Sequence, residues 1–413
     1  MARCMTRKGG EKVRHAGVVF SGGPAPAANA VISSAAVACI KNGIKVTGFL
    51  YGYKFLENFS SCSSFREGEH YIKLDMDTVE GLRNSQGVLL HNARANPGSA
   101  IKTWDDLAHP DKNKKLINIF KACAHLKIDA LISIGGDDTL KTANYLHRIQ
   151  AVVPDLRPVK VVHVPKTIDN DYHGIDWTFG FFSAAECAAK IIRNLMADSY
   201  SSGSWFIVEI MGRKAGWLTY AAGMMAEATK MISVEDIEED TLDLDRLALV
   251  ISKLIEARKK DGKNYGVVCV AEGVADKLPD EIKCKEIDGH GNVVLTGLEI
   301  GKMLAERLSQ IHHARTGQKV KCIAKQIGYE TRCTAPSGFD VILGSQLGTG
   351  AYRALAEEGL AGVMISIGEQ MSLRYVPFDD LIDEQTGLTK LKFIEKDSDF
   401  WRLARFLEFT PKP

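Results

Sequence analysis

Apolar and polar residues alternate along this chain in blocks rather than one by one. Short, unbroken apolar runs of five to eight residues are followed by glycine-rich or charged turns, and then by longer stretches with apolar positions three and four apart. Ala16–Phe20 is the first such run; it ends in Ser21-Gly22-Gly23-Pro24-Ala25-Pro26, and a small-residue segment, Ala27–Ile40, follows. This reads as strand, glycine turn and helix, with Gly43 as the helix stop and Ile44–Tyr51 as the next strand. The same grammar predicts strands at Val88–His91, Asp129–Ile134, Val159–Val164, Trp205–Ile210, Tyr265–Ala271 and Val320–Tyr329. Helices are predicted at Asp77–Asn84, Leu116–Leu126, Leu140–Ile149, Phe181–Ala197, Leu218–Ala226, Leu244–Lys260, Thr296–His313 and Ser345–Glu358. Continuous apolar strands alternating with helices imply a mostly parallel sheet covered on both faces, an α/β fold.

The 413 residues exceed what one ordinary domain needs, and 45% hydrophobic with 25% charged residues is a globular composition. Net charge is +1, so nothing global argues for nucleic acid or an anionic membrane, and any anionic ligand must be held by local charges. Nine scattered cysteines without a C-x-x-C pair fit free thiols in a reducing, cytoplasmic setting. No apolar run approaches the length of a membrane span. The first fifteen residues, rich in Lys and Arg, read as a flexible arm.

Charged or glycine-rich loops follow several predicted strands, and in open α/β sheets ligands sit beyond the carboxyl ends of the strands. Gly22-Gly23 opens a helix and reads either as a tight turn or as a backbone cradle for an anion. Gly135-Gly136-Asp137-Asp138-Thr139 adds two carboxylates, each a helix cap or, for Asp137, a magnesium ligand. Pro165-Lys166-Thr167-Ile168-Asp169-Asn170-Asp171 packs a cation and two carboxylates beside the core, either as structural ion pairs or as chemistry. Arg213, in Met211-Gly212-Arg213, and Arg332, in Tyr329-Glu330-Thr331-Arg332, suit phosphate or are plain surface arginines; Glu272 accepts from a sugar hydroxyl or caps the Gly273 turn. Gly348-Thr349-Gly350 reads as helix-start packing, and neither a P-loop nor a complete G-x-G-x-x-G is present. Together the loops describe phosphoryl transfer, which is mainly positioning and electrostatics.

In this order the loops resemble those of the phosphofructokinase family, from about Ala16 to about Gly350. The resemblance implies two Rossmann-like three-layer α/β/α lobes with mostly parallel sheets and the site in the cleft between them. It places residues 16–180 with 333–395 in a phosphate-donor lobe and 181–332 with 396–413 in a sugar-phosphate lobe. It implies transfer to the 1-hydroxyl of fructose 6-phosphate, with Mg2+ as cofactor and a homodimer or homotetramer as the assembly. Asp169 would be the general base, with Lys166 as the second catalytic group. Thr167, Asp171, Met211, Gly212, Arg213, Glu272, Tyr329 and Arg332 would bind the sugar phosphate. Gly22, Gly23, Arg94 and Asp138 would meet the donor, and Asp137 the metal. ATP-using members usually carry glycine where this chain has Asp138, whose carboxylate would repel a nucleotide α-phosphate; Lys166 and Pro24 also resemble the diphosphate-dependent members. Diphosphate is therefore the expected donor and the reaction reversible, with ATP as donor, or another acceptor such as sedoheptulose 7-phosphate, as the alternatives. Two departures stand out: Ala28 replaces a common glycine, and Ser201–Ser204 lacks an arginine that many bacterial members supply across a subunit contact.

Overall fold

A computed structural model describes residues 12–62, 64–212, 214–283, 298–383 and 388–410. In chain order the strands are β1 (His15–Ser21), β2 (Lys45–Phe49), β3 (Tyr71–Leu74), β4 (Ala130–Gly135), β5 (Lys160–Pro165), β6 (Trp205–Ile210), β7 (Lys230–Ile232), β8 (Gly266–Ala271), β9 (Cys322–Ile327), β10 (Val363–Ile367) and β11 (Leu373–Pro377). The helices are α1 (Ala28–Lys41), α2 (Met76–Val79), α3 (Pro110–Leu126), α4 (Asp137–Val152), α5 (Phe181–Ser202), α6 (Trp217–Met225), α7 (Leu244–Lys260), α8 (Ile300–Thr316), α9 (Tyr329–Arg332), α10 (Gly338–Tyr352), α11 (Phe378–Leu381) and α12 (Asp399–Leu407).

Two compact units share this chain. The first takes the chain up to Thr167, Tyr172–Gly180 and Ala335–Leu391; the second takes Ile168–Asp171, Phe181–Thr334 and the chain from Lys392 onward. The first is built on a seven-stranded sheet in the order β11-β10-β5-β4-β1-β2-β3. Its five inner strands run parallel, and the edges β3 and β11 pair antiparallel. Strands β4 and β1 are buried almost throughout, which is why they read as unbroken apolar runs. The second unit has a four-stranded parallel sheet, β7-β8-β6-β9. Its core gathers Trp205, Ile207, Val268 and Val270 from the sheet with Ile251, Ile255, Leu304 and Leu308 from α7 and α8.

The differences from the sequence reading have local causes. Val88–His91 is not a strand: Leu89 N–H donates to the Asn29 side chain at 2.8 Å, and the Leu90 carbonyl accepts from Tyr51 N–H at 2.9 Å. The expected helix at 77–84 divides into α2 and a single 3-10 turn at Leu82–Asn84. The strand expected to run to Tyr329 ends at Ile327, and Tyr329–Arg332 winds into the one-turn helix α9. Gly348 and Gly350 lie inside α10 rather than at a helix start, and a Cβ at Gly348 would collide with Ser34 Oγ and the Val31 carbonyl of α1. Gly348 thus lets α1 and α10 pack closely, while Gly350 makes room for Leu373 and Ile365 of the sheet. The predicted start of α8 at Thr296 falls outside the described residues.

Candidate active site

Strand register decides which loops of the first unit meet. Ser21 of β1 pairs with Gly135 of β4, and Gly135 pairs with Pro165 of β5. The next residues along each strand, Gly22, Gly136 and Lys166, therefore leave the sheet side by side. β1 lies between β2 and β4, so this is the point at which strand order reverses, where α/β sheets open a crevice for ligands. Gly22 has φ +88, a left-handed backbone that a residue with a Cβ disfavours. A Cβ at Gly22 would stand 3.6 Å from Lys166 Nζ, and one at Gly136 would stand 4.0 Å from it. The Lys166 ammonium thus sits over both glycine turns, while its backbone N–H donates to the Gly135 carbonyl at 2.9 Å. Gly23 is half-buried in the same turn.

Two carboxylates and one more loop complete this part. Asp137 and Asp138 occupy the first turn of α4, where negative charge is favoured. Asp137 Oδ1 accepts from Asp138 N–H at 2.9 Å, and the Asp138 carboxylate lies 3.9 Å from Lys141 Nζ. The loop carrying Arg94 is bound to the Gly22 turn: Gly22 N–H donates to the Ala93 carbonyl at 3.3 Å, and Asn92 Nδ2 donates to the Gly22 carbonyl at 3.0 Å. Arg94 itself is exposed. Beneath Lys166, His163 is fully buried; burial, opposed by a hydrogen bond to the Gly135 carbonyl and aided by the Lys166 charge, brings its pKa down from 6.5 to about 3, so the ring is neutral. Tyr172 hydroxyl lies 3.3 Å from His163 Nε2 and donates to the Gly135 carbonyl at 3.2 Å. Sequence reasoning missed both residues; a lone histidine inside an apolar strand was the available signal.

The second unit repeats the principle with side chains. Ile210 of β6 pairs with Ala271 of β8 and with Ile327 of β9, so Met211, Glu272 and Gly328 share one sheet edge. Met211 is buried, and Gly212, at φ +154, turns its N–H to Glu272 Oε2 at 3.4 Å while its carbonyl accepts from Gly273 N–H at 3.0 Å. Glu272 is only 5% exposed. Its pKa is raised first by burial; the Gly212 N–H opposes this, Asp169 and Glu209 raise it further, and Arg332 lowers it. Those couplings put Asp169, Glu272 and Arg332 in one electrostatic field. The Arg332 guanidinium lies 4.9 Å from the ring centroid of Tyr329, which is exposed. Asp171 is held by its carbonyl, which accepts from Lys392 N–H at 2.9 Å. Thr167 belongs to the first unit, where its carbonyl accepts from Thr178 Oγ1 at 2.8 Å. Arg213 lies outside the described residues. Glu209, unnoticed in the sequence, is a buried carboxylate on β6 that accepts from Gly301 N–H at 2.9 Å and so serves the start of α8.

A cavity of about 670 Å³ lies elsewhere, at the amino-terminal end of β5, lined by Trp104, His147, Arg148, Pro158, Lys160 and Asp379 among others. Its Arg148 is already occupied, with Asp379 at 2.5 Å and the Trp104 ring at 3.9 Å.

Comparison with known proteins places these loops in a family. The phosphofructokinase family model matches residues 15–355. A pyrophosphate–fructose 6-phosphate 1-phosphotransferase of Thermotoga maritima is 33% identical over 402 residues, covering 94% of this chain and 89% of the relative. An ATP-dependent 6-phosphofructokinase of Corynebacterium efficiens is 34% identical over 365 residues, covering 88% and 92%. Among solved structures, a pyrophosphate-dependent phosphofructokinase of Nitrosospira multiformis superposes with a TM-score of 0.69 at 19% identity, covering 97% of this chain and 93% of that one. The chain belongs to the phosphofructokinase family, and it is a phosphotransferase with that family's α/β architecture. No helix among the described residues is long and apolar enough to cross a membrane.

Proposed function

We propose that this phosphotransferase moves a phosphoryl group from diphosphate to the 1-hydroxyl of fructose 6-phosphate, giving fructose 1,6-bisphosphate and phosphate, reversibly. The observation that carries the reading is the Lys166 ammonium over the Gly22 and Gly136 turns, with the Asp138 carboxylate half-buried in the first turn of α4. Backbone amides and an ammonium favour a compact, highly charged anion. A fixed carboxylate beside them disfavours a donor that extends further with more phosphate. Diphosphate satisfies both conditions and a nucleoside triphosphate satisfies only the first.

In this reading Asp169 takes the proton of the 1-hydroxyl, and Lys166 meets the charge that grows on the transferred group. Arg94 contacts that group from the loop bound to Gly22. Arg332, Arg213 and Tyr329 receive the sugar phosphate, while Thr167, Asp171, Met211, Gly212 and Glu272 shape the sugar site. Lys166 and Asp169 are three residues apart, so their Cα atoms stay within about 11 Å whatever the chain does between them. Among the described residues no three metal-ligating side chains gather. Magnesium bound through one or two carboxylates and phosphate oxygens needs no such cluster, and Asp137, with Asp138 beside it, fits that donor set. Bound there, Mg2+ would neutralise diphosphate charge. A cytoplasmic homodimer or homotetramer completes the proposal.

The 34% identity to an ATP-dependent enzyme favours ATP as the second reading. Parallel assays of the purified protein with each donor against fructose 6-phosphate, and against sedoheptulose 7-phosphate as acceptor, decide between them. Faster turnover with ATP than with diphosphate would overturn the donor assignment. With diphosphate as the natural donor, Asp138→Gly should bring measurable ATP use.

A further inference from the structure

Tyr51 and His91 form a pair that the reading above leaves unused. Both have left-handed backbone, φ +58 and φ +54, which residues with a Cβ seldom adopt. Their rings stack, with centroids 4.8 Å apart and planes 11° from parallel. The backbone joins the same two segments, since Tyr51 N–H donates to the Leu90 carbonyl at 2.9 Å. Each member of the pair borders the phosphate turn. Tyr51 precedes Gly52, where a Cβ would stand 2.9 Å from the Phe20 carbonyl and 3.2 Å from Ser21 Oγ, so the exit of β2 lies flat on the exit of β1. His91 precedes Asn92, whose side chain donates to the Gly22 carbonyl, and Ala93, whose carbonyl accepts from Gly22 N–H. Lys54 Nζ approaches the other side of the cluster, 5.5 Å from the Tyr51 ring centroid and 5.4 Å from that of Phe55.

Two strained residues held in contact by their side chains point to a constraint imposed from outside the local backbone. We propose that the Tyr51–His91 stack is a clasp that fixes the Asn92-Ala93-Arg94 loop on the Gly22 turn and thereby sets affinity for the phosphoryl donor. The two residues are positioning residues; neither is assigned a contact with substrate. The proposal rests on the donor lying at the Gly22 turn. The stack restrains residue 91, residue 91 fixes where residues 92 and 93 begin, and those two hold both polar backbone groups of Gly22. Freeing residue 91 lets the turn and Arg94 spread over several arrangements, only some of which bind the donor.

The test is steady-state kinetics on the full chain for Tyr51→Ala, Tyr51→Phe and His91→Gly, with thermal melting of each. Tyr51→Ala and His91→Gly should raise KM for diphosphate about 10-fold, below the roughly hundredfold that an ångström of misplacement can cost. KM for fructose 6-phosphate should stay within about twofold, and Tyr51→Phe, which keeps the ring, should behave as wild type. His91→Gly removes backbone strain, so its melting temperature should equal or exceed that of wild type even as donor KM rises. A purely structural contact does not produce those opposite movements. Unchanged donor KM in both variants, or an equal rise in both KM values, overturns the clasp. If wild type uses ATP and not diphosphate, the donor reading fails, and the same variants measured with ATP still decide the clasp. Calorimetric titration of diphosphate into each variant reads donor affinity without turnover, and equal affinities for wild type and His91→Gly would likewise overturn it.

Discussion

The two units solve related problems with different materials. In the first, the candidate site is mostly backbone: glycine turns at the ends of β1 and β4, the amide end of α4, and one ammonium over them. In the second, it is mostly side chains: a buried Glu272, Asp169 in its field, and Arg332 beside an exposed Tyr329. Backbone amides carry fixed partial charge and suit an anion of high charge and little shape. Side chains at the corners of a sheet suit a ligand with several distinct hydroxyls and a remote phosphate. The buried groups differ in the same way. His163 under the first site is held neutral, which avoids a second cation beneath Lys166, whereas Glu272 in the second holds its proton more tightly than an exposed carboxylate does.

That contrast breaks first at Asp169. Asp169→Ser should lower kcat by about 10³-fold, within the range that general bases supply, and leave KM for fructose 6-phosphate little changed. A comparable loss shared between kcat and sugar KM would move Asp169 from chemistry to binding. Lys166→Met should lower kcat by about 10²-fold, the scale for losing one preorganised charge stabiliser, with the sugar KM unaffected. Arg332→Ala should raise the KM for the sugar phosphate by about 10-fold or more, as expected for a lost charge-assisted hydrogen bond, and leave the donor KM alone. An unchanged sugar KM would remove Arg332 from the site.

The smallest effect is on stability. The folded protein holds His163 at a pKa of about 3 against 6.5 for a free side chain, so between those values the unfolded chain binds the extra proton. Stability contributed by neutral His163 is therefore complete above pH 6.5 and is lost as pH falls towards 3, with a slope of at most about 1.4 kcal/mol per pH unit from this group. His163→Gln should flatten denaturation midpoints measured across that range, and an unaltered pH dependence would show that His163 ionises freely.

Most site loops were legible because they follow an apolar strand, and the carboxyl end of a buried parallel strand is a place that sequence pattern alone marks; the Arg332 loop follows β9, where Lys325 and Gln326 break the run, and the Arg94 loop follows no strand. Helix α7 was read at its observed limits, Leu244–Lys260, because its apolar spacing, the preceding Asp243 and its basic end agree. Val88–His91 was misread because a short apolar run looks alike whether it pairs in a sheet or lies on a turn held by the Asn29 side chain and a single backbone bond to Tyr51. Strand β3 and the elements beyond residue 360 were missed. Strands β3 and β11 are short sheet edges formed by tertiary pairing rather than by local preference, whereas β10 is an inner, buried strand whose apolar run went unread.

By itself, then, the chain's pattern determined the alternation of strand and helix and the chemistry available at each strand end: glycine at 22 and 136, lysine at 166, carboxylates at 137, 138, 169 and 272, and arginine at 332. It did not determine which of these ends are neighbours. That came from register, since Ser21 opposite Gly135 opposite Pro165 brings Lys166 over two glycine turns, and Ile210 between Ala271 and Ile327 brings Glu272 beside Gly212. Register is a property of pairs of strands far apart in sequence, fixed by the packing of whole sheets. The same is true of burial, which alone separates His163, with its lowered pKa, and Glu272, with its raised one, from ordinary surface residues of the same types.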